Sequence, residues 1–152
     1  MKRRKAREYA LQFLYRIDFI NIPEEDGTSA ALTAKARIRD GLELFWKETS
    51  EEDPEVRSFT EDIVSGTIKH LDEIDSVIQR VAEKWKLSRI ANVDRNIMRF
   101  SAYELLYRSD IPDAVSINEA LEIAKKYSAA ESASFINGIL DKIAKEYKQK
   151  RL

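Results

Sequence analysis

Apolar residues along this chain recur at intervals of three and four almost without a break, and that spacing admits helices and little else. Ala6, Ala10, Phe13, Ile17 and Ile20 line one face of a helix predicted over about residues 3–20. Asn21 to Ser29, with Pro23 and Gly27, reads as a loop. Thr28 or Ser29 is placed to cap a second helix carrying Ala31, Ile38, Leu42, Phe45 and Trp46. Asp53 and Pro54 have the N-cap and first-turn chemistry of a third, whose stripe begins Phe59, Ile63, Thr67. Asp72 restarts the chain as a fourth, with Ile74, Val77, Ile78, Val81 and Trp85. Asn92 caps a fifth, bearing Ile97, Met98, Ala102, Leu105 and Leu106. After a loop around Pro112, Ser116 with Glu119 and Ser128 with Glu131 have the spacing of capping boxes. These would open a sixth helix (Ile117, Ala120, Leu121, Ala124) and a seventh (Ile136, Ile139, Leu140, Ile143, Tyr147). No stretch of four or more residues alternates convincingly at period two. The predicted class is all-α, about seven helices, with a waist near residues 83–92 that separates residues 1–84 from 85–152.

Composition narrows the chemistry. Lys plus Arg number 26 and Asp plus Glu 27, a net charge of −1, so any electrostatic function has to come from a local cluster. Cysteine is absent, and with it disulfides, thiol catalysis, iron–sulfur clusters and thiolate zinc sites. One histidine, His70, cannot build a multi-histidine metal site, and it suits a helix C-terminus or a packing role. There is no phosphate loop, dinucleotide fingerprint or HExxH, so no enzyme, metal or cofactor is expected. No apolar run approaches the roughly 18 residues of a membrane span, and the N-terminus lacks a secretory pattern. The expected location is the cytoplasm, with no membrane partner.

Three local features stand out. Lys2, Arg3, Arg4, Lys5 and Arg7 precede the first acid, Glu8. Such a cluster opposes the helix dipole, and arginine's planar fork suits phosphate, which points to an anionic partner; a solvated, frayed terminus that binds nothing stays open. Phe135 lies one position off the apolar stripe of the last helix, among Ala129, Ala130, Ala133 and Ser134, where a ring can stack on an unpaired base. A boundary packing role for the same ring stays open. Asn137 and Gly138 are poor helix formers in that helix, and close helix–helix approach would account for Gly138. In NVDRNIMRFSAYELLYRSDIP, Asp94 favours the helix start, Tyr103 and Tyr107 suit boundary packing, and Glu104, beside the apolar stripe, reads as an exposed contact.

The strings RRKAREYALQFLY, FTEDIVSGTIKHLDEID and VDRNIMRFSAYELLYRSDIPDAVSINEALEIAKKYSAAESASFINGILDKIAKE, in that order, resemble the NusB family of bacterial transcription antitermination factors. The resemblance is densest from Val93 to Ala144 and weakest from Asn21 to Glu52. It implies two packed helical subdomains without enzymatic activity. It also implies binding of box A RNA of ribosomal operons together with NusE, and entry into an RNA polymerase complex with NusA and NusG. Some relatives would hide the RNA surface in a homodimer. Position by position, the RNA contacts would be Arg3, Arg4, Lys5, Arg7, Tyr15, Glu131 and Phe135, and the NusE contacts Asp94 and Glu104. The chain has Ala133 and Ser134 where some members carry basic residues, and Ser128 where many have glycine. Two alternatives share the pattern. One is the related helical domain attached to ribosomal-RNA cytosine methyltransferases, disfavoured because no methyltransferase domain follows. The other is a helical protein-interaction module without RNA.

Overall fold

The computed structural model describes residues 2–17 and 29–147. Among them it has seven α-helices, one short 3-10 turn and no strand. They are α1 (Lys2–Ile17), α2 (Ser29–Thr49), α3 (Pro54–Lys69), α4 (Leu71–Ala82), the 3-10 turn Leu87–Arg89, α5 (Asn92–Tyr107), α6 (Asp113–Tyr127) and α7 (Ser132–Tyr147). The continuation of the first helix to Ile20, the loop with Pro23 and Gly27, the Thr28 cap and the Ala31 side chain lie outside the described residues. The chain divides into two compact units, Met1–Ser65 and Gly66–Leu152, so the division falls inside α3, well before the waist read from the sequence.

The first unit is built on rings. Phe45 is fully buried, with Tyr9, Phe13 and Trp46 set edge-on at 5.7, 5.7 and 5.3 Å. Edge-to-face rings at such distances add to the energy of their burial. Ala6, Ala10, Leu11 and Leu14 of α1 complete the apolar stripe. The buried Thr60 hydroxyl donates to the Val56 carbonyl at 2.8 Å and the Ala6 carbonyl at 3.2 Å, which fixes α3 against α1. Asp53 caps α3 as its spacing predicts: its Oδ1 accepts the Glu55 N–H at 2.9 Å.

The second unit is organised around α5, which packs against α4, α6 and α7. From Asn96 to Leu106 nearly every residue of α5 is buried, including Ile97, Met98 and Phe100. A helix buried almost all round belongs at the centre of a bundle. Ile74 and Ile78 of α4, Ile123 of α6, and Ile136, Leu140 and Ile143 of α7 close on it. The Arg99 guanidinium grips the Asp75 carboxylate through Nε (2.8 Å) and Nη2 (2.9 Å), joining α5 to α4.

Several predicted boundaries are corrected. Ser116 does not cap α6. The helix starts at Asp113, because Pro112 at φ −60° and ψ 141° already holds the extended geometry of an N-cap. Ser128 ends α6 and α7 starts at Ser132, so the second capping box is also absent. Asn92 is the first residue of α5, one position inside its predicted cap, and α4 starts at Leu71, just before Asp72. Gly138 is exposed and a Cβ there would meet nothing within 4 Å, so close helix approach is not its explanation. Close approach belongs instead to Gly66 on α3, where a Cβ would fall 2.1 Å from the Tyr103 ring.

Candidate nucleic-acid interface

The basic start of α1 is less free than its composition suggests. Lys5 Nζ lies 2.6 Å from Glu51 Oε1, and Lys2 Nζ lies 3.2 Å from Asp53 Oδ2 and 3.5 Å from Glu55 Oε2. Both ammonium groups are pushed above their ordinary range, chiefly by these hydrogen bonds. The bonds from Lys5 and Lys2 hold the Glu51 and Asp53 carboxyls below theirs. Arg3 is exposed and sets its guanidinium over Phe59, 4.6 Å from the ring centroid. Arg4 is half-buried. Arg7 corrects the sequence expectation: it is 2% exposed, with its guanidinium 5.1 Å from the same ring, and serves the interior of this unit. Tyr15, one face along α1, is exposed.

The second unit carries a pair of rings. Trp85 does not extend the apolar stripe of α4. The helix ends at Ala82, and Glu83, at φ 23°, turns the chain in the left-handed region where glycine is usual. The Trp85 indole is thereby 60% exposed. Phe135, on α7, is half-buried and meets Trp85 edge-on, with centroids 6.0 Å apart at 78°. Gln79 braces the loop from both sides: its Nε2 donates to the Trp85 carbonyl at 2.7 Å and its Oε1 accepts the Leu87 N–H at 2.8 Å. Arg95 donates to the Ile90 carbonyl at 3.0 Å just beyond. Lys84 and Lys86, which flank Trp85 in the chain, and Arg89 in the following turn are exposed, as is Glu131 one turn before Phe135. An exposed ring held in place amid cations is a surface on which a base can stack beside bound phosphate. The sequence reading found Phe135 and missed Trp85. The signal was present in Lys84-Trp85-Lys86, an aromatic between two lysines at a helix end.

The two carboxylates expected at a partner surface face inward. Glu104 is 1% exposed and its Oε1 accepts the Ser116 hydroxyl at 2.8 Å, so it is not an exposed contact. Asp94 is 7% exposed; the Ser128 hydroxyl donates to its Oδ1 and the Ser132 hydroxyl to its Oδ2 at 2.7 Å. Asp94 thus joins the start of α5 to the α6–α7 connection. His70 likewise packs, stacked on Tyr107 with centroids 4.0 Å apart. Among the described residues no cluster of His, Asp and Glu is placed to hold a metal ion, and no helix is long and apolar enough to cross a membrane.

These features define an all-helical protein with exposed cations and an exposed indole against a second ring among its described residues. Comparison with known proteins makes the class specific. The NusB family matches residues 4–145. The chain is 51% identical over 147 residues to the transcription antitermination protein NusB of Thermodesulfovibrio yellowstonii, covering 96% of this chain and 93% of that one. It is 41% identical to the protein of the same description from Myxococcus xanthus, over 93% and 94% of the two chains. The fold matches T. maritima NusB with a TM-score of 0.79 at 35% identity, over 98% of this chain and 95% of that one. It also matches, at 0.74 and 24% identity over 96% and 98%, the structure of antitermination factors NusB and NusE in complex with double-stranded RNA, a likeness of fold alone. The chain belongs to the NusB family, and so to the transcription antitermination proteins.

Proposed function

We propose that the protein binds box A RNA of ribosomal operons together with NusE and carries it, in the cytoplasm, into an antitermination complex of RNA polymerase with NusA and NusG. The observation that carries the RNA half is the exposed Trp85 against Phe135, in a loop tied by Gln79 whose neighbours in the chain, Lys84, Lys86 and Arg89, are exposed. Bases stack on such rings whatever their sequence, and the cations take the backbone. In the first unit Arg3, Arg4 and Lys5 at the start of α1 supply further phosphate contacts, and Tyr15 and Glu131 are exposed where the family pattern expects contacts. Arg7, Asp94 and Glu104 act through the fold, because their side chains are buried. Phosphate contacts set register, and the rings read what is unpaired.

The test is a titration of the chain with box A RNA, with and without NusE. The expected result is RNA binding that NusE strengthens, and capture of NusE by the chain. Capture of NusE with no RNA binding would leave a protein-interaction module, and binding of neither would overturn the reading.

A further inference from the structure

The segment after α2 presents carboxylates to α1 in a fixed arrangement. Ser50, at φ 58°, turns the chain out of α2. Glu51 Oε2 accepts the Asp53 N–H at 3.1 Å, Glu51 Oε1 accepts the Tyr9 hydroxyl at 3.1 Å, and Asp53 Oδ1 accepts the Glu55 N–H at 2.9 Å. Arg57 Nε donates to the Glu51 carbonyl. The two carboxylates are therefore held by backbone amides and a phenol independently of the lysines. The lysines are the mobile partners: their side chains are 58% and 55% exposed on flexible stems.

A carboxylate on a lysine occupies a place a phosphate oxygen would take. We propose that Glu51 stands in for phosphate on Lys5, and Asp53 with Glu55 on Lys2, in the free protein, so that RNA gains these two cations only by displacing three internal carboxylates. This rests on the RNA-binding reading above. The consequence is selective. A lone anion gains little from exchanging one partner for another in water. A polyanion already engaged at Arg3 presents a second and third phosphate at high local concentration and takes both lysines together. Glu51 and Asp53 are thus affinity-setting residues that need not touch the RNA.

The experiment is a set of salt-series titrations of the full chain with box A RNA, comparing the parent, Glu51→Gln, Lys5→Gln and the double variant. Lys5 reaches the buried Glu51 from an exposed position, and an ion pair open to water on one side is worth up to about 1 kcal/mol, so Glu51→Gln should tighten binding by roughly two- to five-fold. It should also steepen the dependence of log affinity on log salt by up to about 0.7, because Glu51 no longer recaptures Lys5. In the Lys5→Gln background the same substitution should give no gain. A gain of equal size without Lys5 would mean general repulsion and overturn the proposal, as would no gain at all. Asp53→Asn against Lys2→Gln is the second, independent pair, and asparagine keeps the α3 cap should Glu51→Gln disturb the fold. A parent that binds no RNA would overturn the functional reading itself, whereas a parent that binds and variants that do not respond would overturn this inference alone.

Discussion

Asp94 accepts two serine hydroxyls from the adjoining ends of α6 and α7, and each bond to a buried charge counts for more than a neutral one. Asp94→Ala should therefore lower stability by about 3 kcal/mol, two charged hydrogen bonds at the lower end of their range. Thermal unfolding measures this; an unchanged melting temperature would show that the clasp contributes nothing. The two glycines should respond with opposite signs. Gly138→Ala should stabilise by about 1 kcal/mol, since the position is exposed inside α7 and a methyl meets nothing. Gly66→Ala should destabilise by about 1–3 kcal/mol, since a methyl would strike the Tyr103 ring. The sequence reads these residues unevenly for a physical reason. Asp53 as a cap depends on neighbours two residues away and is legible. Asp94, Glu104 and Ser116 are settled by partners 12 to 38 residues distant, and no local spacing encodes whether a carboxylate meets water or a hydroxyl.

At the scale of elements, apolar periodicity located all seven helices, because each buries one stripe and α5 nearly its whole surface. It misplaced Trp85, because a stripe continued on paper does not register that Glu83 ends α4. The loop that results is tied to α4 by the two hydrogen bonds of Gln79. Trp85→Ala should weaken RNA binding by about 1–3 kcal/mol with little change in melting temperature, while Phe135→Ala, half-buried, should cost both. Equal RNA affinity for Trp85→Ala and the parent would remove the indole from the interface. The α1 ion pairs have a pH signature. Glu51 and Asp53 are depressed below their ordinary values of 4.5 and 3.8, so their contribution is fully present above those values and is lost as pH falls through the lower folded ones. The melting-temperature difference between the parent and Glu51→Gln should hold near neutrality and close below about pH 4; a difference independent of pH would contradict the pairing.

At the scale of the molecule, a chain of net charge −1 can bind a polyanion only through local cations, and salt reads how many take part. The family was legible because the dense run from Val93 to Ala144 encodes core and site together. The competition between Glu51 and phosphate was not, since it depends on a turn bringing residues 51–55 to α1. The most direct measurement is the affinity for box A RNA across a salt series for the parent and for Arg3→Ala, Arg4→Ala, Lys5→Ala combined. Each phosphate neutralised on a single strand adds about −0.7 to the log–log slope, so losing three cations should flatten the parent's slope by about 2 or somewhat less. A triple variant that binds with the parental affinity and slope would contradict the account, because the basic start of α1 would then hold no RNA.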